Sequence, residues 1–407
     1  MKTIWIVSDG EPLPIDDVNV RLRRMGNLAE ILSEDCKVIW FSSNFQHYTK
    51  SFRSSDDTLI EINKNYHIQL LATKGYKKNI SVDRIIHYKV LSRKFMNFSH
   101  RMDTPDVILC TLAPIDLAKT VMKYSKKYNV KYIIDIRDLW PEIYYDVLPN
   151  KVKYLTDILV KKNKLELKSI LKNSYSMIGV TSKFLDYGLE IAGIKLRKQD
   201  CVIHTAYPIN NIESNFCDLW AKYNLKTDDK IITFVGNFSD QFNIEPIFDS
   251  LNHLNNQDIK IVLCGVGKNL ERYKEIYGKN ERIIFPGWIN QDEISSLLNN
   301  SILGIAPYID SINYRNNLPN KFGEYLSFGV PILVGVEGMM KELLLLNECG
   351  NFYKNSKDLA LLIDKYTMDV DFQREQSNAA KKLYDKSFNA AIVYREFANY
   401  IKGLCYE

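Results

Sequence analysis

The sequence reads as an α/β protein built from two doubly wound, Rossmann-like domains, and three observations support that reading. Short apolar runs alternate with segments of helical periodicity along most of the 407 residues, and strand-then-helix repetition produces parallel sheets covered on both faces. The alternation comes as two successive series. The sign of the charge changes between them: residues 1–205 hold 33 Lys and Arg against 23 Asp and Glu, a net +10, whereas the remaining residues hold 21 against 26, a net −5. The predicted domains are therefore 1–205 and 206–385, with 386–407 as a C-terminal helix and Ala206–Asn211 as the hinge. In such folds ligands collect beyond the C-terminal ends of the strands, and a two-domain version binds them in the cleft between its domains.

In chain order, the predicted strands of the first series are Thr3–Ser8, Lys37–Ser42, Val107–Cys110, Tyr132–Asp135, Met177–Val180 and Cys201–His204. Those of the second are Lys230–Gly236, Ile259–Cys264, Arg282–Phe285, Leu303–Pro307 and Ile332–Val336. Thr3–Ser8 is too short and ends too early to be a signal peptide. Asn19–Ala29 opens a helix with Arg21 near its start, and Phe388–Ile401 reads as the last helix.

A hydrophobic content of 46% is enough for large cores. No apolar run reaches the roughly 18 residues of a membrane span. The seven cysteines are dispersed without metal-type spacing, and several sit in apolar strand-like runs, which points to structural thiols in a reducing cytoplasm. The six histidines form no cluster either, so no metal is expected.

The excess positive charge is concentrated. Lys74–Arg101 holds eight Lys and Arg against the single acid Asp83, interleaved with Tyr76, Ile80, Ile85, Ile86, Tyr88, Phe95 and Phe98. Lys151–Lys172 places Lys161, Lys162, Lys164, Lys168 and Lys172 around Leu155, Ile158, Leu159 and Leu165. Basic amphipathic stretches attract anionic lipid surfaces; a solvated helix face has the same composition. No nucleic-acid partner is expected.

The richest segment is Asn317–Val334, a loop, a short helix and a buried strand. Pro319 opens the helix where a missing N–H costs nothing, Gly329 ends it, and Pro331 prevents its return. Lys321 and Glu324 are three apart and share a face near the helix N-terminus. That end carries exposed N–H groups and partial positive charge, which suits a diphosphate. Lys321 is the candidate phosphate ligand, and Glu324 the candidate for ribose hydroxyls. Gly236 and Asn237 follow a strand of the same series, and glycine there allows backbone to approach a phosphate closely. Gly265, Gly267 and Gly287 follow the next two strands.

This pattern resembles the donor domain of retaining GT-B glycosyltransferases of the large family-four type. Their loop runs Pro-x-Lys-x-x-Glu-Tyr-x-x-x-Gly-x-Pro, matched here by Pro319, Lys321, Glu324, Tyr325, Gly329 and Pro331. The order Gly236, Gly265/Gly267, Gly287, Ala306-Pro307, Lys321, Glu324 follows the family over about 150 residues, beyond chance for single glycines. The resemblance implies that Gly287, Trp288 and Ile289 line the base pocket, that Gly236, Asn237 and Gly265 face the diphosphate, and that Arg315 and Asn320 join Lys321 there. It also implies that the last helix crosses back onto the first domain. The chain departs from the family at Asn316, where an acid is usual, and at Asp240–Glu245, which lacks the usual Arg or Lys.

The first half resembles bacterial members that assemble surface polysaccharide such as O-antigen or capsule. Gly10 stands where the family often has a Gly-Gly pair that closes on the donor phosphates. His47, Lys50 and Arg53 in Phe41–Arg53 are candidate acceptor-phosphate ligands. Arg137 and Asp138 in Asp135–Glu142 form a candidate active-site edge, with Asp138 contacting the acceptor hydroxyl and Arg137 expected to favour its ionisation. The resemblance implies a retaining, metal-independent glycosyltransferase without cofactor. Its donor is a nucleotide-diphosphate sugar, by expectation a UDP-sugar, and its acceptor a polyprenyl-diphosphate-linked glycan. Asp138 and Lys321 are the catalytic candidates, and the protein is expected in the cytoplasm, peripheral at the inner face of the cell membrane. Two alternatives remain open at this stage: a sugar-nucleotide epimerase on the same fold, and a catalytically silent sugar-nucleotide-binding subunit.

Overall fold

The structure is a computed structural model that describes residues 1–17, 21–79, 81–142, 144–145, 153–208 and 215–406. The expected helix start at Asn19, Ile80, the first residues of the basic stretch from Lys151, and the 209–211 part of the expected hinge lie outside the described residues. The chain divides into two compact units, Met1–His204 with Ala391–Glu407, and Thr205–Ala390.

The first unit holds an eight-stranded sheet. In chain order its strands are β1 (Thr3–Val7), β2 (Lys37–Ser43), β5 (Thr58–Asn63), β6 (Tyr66–Leu71), β7 (Val107–Thr111), β8 (Lys131–Ile136), β9 (Ser176–Gly179) and β10 (Cys201–Val202); β3 (Phe45–Gln46) and β4 (Ser51–Phe52) form a separate hairpin. The sheet order is β10-β9-β8-β7-β1-β2-β6-β5, and only the edge pair β5–β6 is antiparallel. Both faces are buried, as the continuous apolar runs require. Trp5, Val7, Ile39, Phe41, Ile108, Cys110, Ile134 and Ile136 pack one face against apolar side chains of the helices Val82–Ser99, Ile115–Tyr128, Lys153–Asn173 and Ser182–Ala192. Ile4, Ile6, Val38, Trp40, Leu109 and Ile133 are equally buried. The β5–β6 pair is absent from the sequence reading because polar Thr58, Glu61 and Asn63 break a strict alternation in β5 and His67 and Gln69 interrupt the apolar run of β6. The first helix starts at Arg24, so Arg21 precedes it.

The second unit holds six parallel strands: β11 (Lys230–Val235), β12 (Ile259–Cys264), β13 (Ile283–Gly287), β14 (Ser301–Ala306), β15 (Ile332–Val334) and β16 (Gly350–Phe352). Their order, β13-β12-β11-β14-β15-β16, is the doubly wound one in which successive strands run outward from β11 and then from β14. In the first unit the same reversal occurs between β1 and β7. Chain direction reverses across the sheet at these two points, so the crossover helices diverge and leave the strand ends open there. Among the described residues no helix is long and apolar enough to cross a membrane.

One buried ion pair fixes the middle of the first sheet. Arg24 donates to Asp135 through Nε (3.0 Å) and Nη2 (2.9 Å), and through Nη1 to the carbonyl of His204 (3.0 Å). Both side chains are essentially inaccessible. Arg24→Ala leaves a carboxylate in the core with only Arg137 Nε, 3.7 Å away, to answer it. We expect a loss of about 3 kcal/mol in urea unfolding, largely recovered in Arg24→Met/Asp135→Leu, because removing one partner costs more than replacing both. An undiminished unfolding midpoint for Arg24→Ala would show that the pair contributes nothing.

Candidate active site

Each unit carries one group of the expected site residues at the C-terminal ends of its strands. In the second unit, three loops after β11, β12 and β13 are stitched together by backbone hydrogen bonds. The Gly236 N–H donates to the Cys264 carbonyl (2.9 Å), the Gly265 N–H to the Gly287 carbonyl (2.6 Å) and the Phe238 N–H to the Val266 carbonyl (2.9 Å). The packing leaves no room for side chains. A Cβ on Gly265, whose φ is +132°, would stand 1.6 Å from the Gly236 carbonyl oxygen, and one on Gly267 would stand 2.5 Å from that of Phe238. Asn237 is exposed at the tip of the first loop. Gly287 takes φ +82°, Trp288 is 71% exposed and Ile289 is buried against Val262 and Leu297 in the core.

The helix Asn320–Ser327 follows β14, at the point where the strand order reverses. Pro319 is its N-cap, extended at ψ 156°, and Gly329 its left-handed terminator at φ +67°. The Gly329 N–H donates to Leu326 (2.9 Å) and the Val330 N–H to Tyr325 (3.0 Å), the paired closure of a Schellman motif. Tyr325 anchors the helix to β11, its hydroxyl accepting from the Val235 N–H at 3.0 Å.

That anchoring aims Lys321 at the glycine loop. Its Nζ lies 5.2 and 5.8 Å from the ring centroids of Phe234 and Phe242, and a Cβ on Gly236 would stand 2.8 Å from it. Burial lowers the Lys321 ammonium to about 8, against the opposing pull of Glu324. It remains mostly charged at neutral pH, and an approaching phosphate would raise it again. Glu324 Oε1 accepts from the Tyr207 hydroxyl (2.5 Å), which in turn accepts from Gln291 Nε2 (3.2 Å).

Two expectations change here. Tyr207, placed by sequence in the hinge, is fixed within the second unit: its N–H donates to the Phe388 carbonyl (2.9 Å), its own carbonyl accepts from the Ala390 N–H (3.1 Å) and from the Tyr384 hydroxyl (2.7 Å). Arg315 is exposed and held by Asp310, with Nη2 donating at 2.5 Å, so its guanidinium already has a carboxylate. Asn320 is exposed in the first turn of the helix. Asp240, in the segment that lacks the usual Arg or Lys, is paired with Lys268 of the next loop, and both side chains are exposed. Nothing in the local sequence pattern signals Tyr207 or Gln291, because their bonds to Glu324 and to each other span 117 and 84 residues.

In the first unit, Gly10 follows β1 at φ +86° and is half-buried. Beside it Asp9 is held well below the usual carboxylate range: burial opposes ionisation, but hydrogen bonds from His87 and Ser43 outweigh it. Arg137 pairs with Glu11 and lies 3.7 Å from Asp135. Asp138 does not behave as expected. Burial pushes its carboxyl up to about 6 in spite of Arg137, whose charge is already shared by two other acids. The structure thus corrects the expected ionisation and makes Asp138 a group that titrates near neutrality.

Of the three candidate acceptor ligands, Arg53 is a structural clamp. Its five N–H groups are spent on Asp16 (2.6 and 2.7 Å), on the carbonyls of Phe45 (3.0 Å) and Ser43 (3.3 Å), and on that of Glu11 (3.4 Å). His47 and Lys50 stand in the β3–β4 hairpin loop, with His47 Nδ1 2.6 Å from the Tyr76 hydroxyl and Lys50 Nζ 2.6 Å from Asn79 Oδ1.

Residues 218–383 match the family model of the glycosyl transferases group 1. No curated protein matches the sequence. Among solved structures, the chain is similar to sucrose-phosphate synthase from Thermosynechococcus elongatus, at 15% identity with 99% of both chains covered and a TM-score of 0.74. It is similar to Anabaena HepE in complex with UDP (12% identity, 99% and 100% covered, TM-score 0.68), and to WaaG, a glycosyltransferase involved in lipopolysaccharide biosynthesis (10%, 98% and 100%, 0.65). These likenesses over the whole length establish the GT-B fold of two Rossmann-like domains, and the match to the glycosyl transferases group 1 model lies in the second of them.

Proposed function

We propose that the chain is a retaining glycosyltransferase that moves a sugar from a nucleotide-diphosphate sugar, a UDP-sugar, to a lipid-linked glycan in bacterial polysaccharide assembly. The observation that carries this reading is the placement of Lys321 Nζ against Gly236, where the strand order reverses, with Glu324 one turn further along the same helix. Lys321 and the helix N-terminus then meet the diphosphate, and Glu324, aligned by Tyr207, accepts from the ribose hydroxyls. HepE, of the same fold, has been captured with UDP-glucose, which supports a UDP-sugar. Charge develops on the departing diphosphate, and Lys321 stabilises it electrostatically. Asp138 contacts the acceptor hydroxyl, and the departing phosphate helps to take its proton, so neither a protein nucleophile nor a metal is invoked.

A second reading, a silent sugar-nucleotide-binding subunit, is favoured by the engagement of Arg315 with Asp310 and by Asn316 in place of an acid. Turnover separates the two: a silent subunit binds nucleotide and converts nothing.

Membrane association belongs to the same proposal. The helix Lys153–Asn173 presents Tyr154, Ile158, Leu159 and Leu165 to solvent beside exposed Lys161, Lys162 and Lys168, and Val82, Ile85 and Ile86 are exposed near Lys77, Lys78 and Arg93. Lys94 is tied to Asp57 at 2.7 Å and is not available to lipid. We place the protein in the cytoplasm, at the inner face of the membrane.

Three outcomes test this reading. Glu324→Ala should weaken UDP binding in calorimetry by about 2–3 kcal/mol, and Lys321→Ala should lower turnover by about 10²-fold with little recovery in Lys321→Arg; unchanged values in folded variants would move the nucleotide elsewhere.

Asp138 acts ionised, so kcat/KM should fall about tenfold per pH unit below about 6, and that limb should vanish, with donor binding intact, in Asp138→Asn. Its folded-state value lies above the ordinary 3.8, so the folded chain binds the proton more tightly than the unfolded chain. Ionisation therefore costs stability, fully above pH 6 and not below 4, and Asp138→Asn should raise Tm at pH 8 more than at pH 4. An equal effect at both pH values would contradict it.

Flotation with anionic liposomes at low salt, release at high salt and indifference to neutral liposomes are expected, since each basic side chain near such a surface contributes about 1 kcal/mol. Lys77→Ser/Lys78→Ser/Arg93→Ser should reduce flotation, and wild-type protein that never floats would remove the membrane from the proposal.

A further inference from the structure

The first unit holds a cationic cluster that the reading above leaves unused. Lys50 Nζ stands 4.6 Å from the ring centroid of Tyr76, and the Arg84 guanidinium stands 5.5 Å from the same ring. Both cations reach one residue: Lys50 Nζ donates to Asn79 Oδ1 (2.6 Å) and Arg84 Nη1 to the Asn79 carbonyl (2.7 Å). A third cation, Arg23, lies 4.6 Å from the ring centroid of Tyr48, and that ring packs against His47. Among the described residues none of Arg23, Lys50 and Arg84 is ion-paired with a carboxylate; their partners are neutral oxygens and, for Lys50, also the His47 ring, with Nδ1 at 3.4 Å. Asp9, an acid whose charge is felt at His47, is already occupied by His87, Ser42 and Ser43.

The segments that converge here follow β2 and β6, at the end of the sheet where ligands collect in doubly wound folds. The crowding of charge is felt within the cluster: burial, then Lys50 and Arg84, press His47 down to about 4, and burial and Arg84 lower Lys50. Lys50 also adopts φ +58°, a left-handed conformation uncommon for a non-glycine residue, which fixes where its side chain leaves the loop. Neutral oxygens and aromatic faces hold these cations in place without cancelling their charge, which is the electrostatic condition for binding an anion.

We propose that Lys50 and Arg84, seated on Tyr76, form a phosphoryl-binding subsite for the acceptor. The proposal rests on the glycosyltransferase reading for the identity of its ligand as acceptor. Two cations on one ring suit a multivalent oxyanion, which the diphosphate of a lipid-linked glycan and the phosphate of a soluble sugar phosphate both provide. Arg53 has no part in it.

The test is calorimetric titration of inorganic pyrophosphate into the full chain held saturated with UDP. Wild type should bind pyrophosphate, and Lys50→Gln/Arg84→Gln should bind it at least about tenfold more weakly, with UDP affinity unchanged, since two charge-assisted contacts are lost. Should the double variant fold poorly, Lys50→Glu in the hairpin loop reverses one charge without touching the helix, and should abolish pyrophosphate binding. Displacement of pyrophosphate by farnesyl diphosphate identifies a lipid-linked source, and displacement by glucose 1-phosphate a soluble one. Pyrophosphate affinity that is the same in wild type and both variants overturns the subsite. Failure of UDP to bind would instead strike the donor reading, and titration without UDP would still decide between the variants.

Discussion

The second unit depends on how closely three backbones can approach. With Gly236, Gly265 and Gly267 lacking side chains, the loops after β11, β12 and β13 interlock at hydrogen-bond distance. The same absence leaves space at Gly236 for the Lys321 ammonium. Tyr325 completes the arrangement by bonding the helix to the last residue of β11, so loop and helix share a reference point. The lysine is therefore placed by packing rather than by an ion pair with a neighbouring acid. Its charge stays free to answer an incoming anion, and burial makes that response stronger than it would be in water.

The first unit solves an opposite problem. Its strand ends bring several acids together, and each is settled differently. Asp135 is neutralised in a bidentate pair with Arg24, Asp9 is held ionised by His87 and Ser43, and Glu11 takes up Arg137. Asp138 is left half-buried without a full counter-charge, and desolvation raises its proton affinity. Asp9 and Asp138, acids of one strand-end region, are thus shifted in opposite directions, Asp138 up by desolvation and Asp9 down by its hydrogen bonds, the usual way in which one fold separates structural acids from reactive ones.

What could be read from sequence divides along physical lines. Continuous apolar runs such as Ile4–Val7 and Ile261–Cys264 announce buried parallel strands, because both faces must be apolar. The Lys321–Glu324 spacing places both residues on one helix, since local periodicity is enough for that. Edge strand β5, whose polar Thr58, Glu61 and Asn63 are out of step with a two-residue period, carried too little signal. Arg53 and Asp138 were misjudged for a shared reason: a guanidinium's occupancy and a carboxyl's burial are set by residues far away in the chain. Arg53 bonds across 37 residues to Asp16, and Tyr207 across 117 to Glu324. Periodicity and motif spacing hold no record of such contacts.

The anchoring of Tyr207 has a consequence for how this sequence can drift. Its hydroxyl orients Glu324 while its backbone is bonded to Phe388, Ala390 and Tyr384. A substitution near 384–390 would therefore shift the tyrosine and turn the carboxylate, although no residue of that segment carries ligand chemistry. A segment some sixty residues further along the chain thus sets the orientation of the Glu324 carboxylate, with Phe388 packed on Phe322 of the same helix.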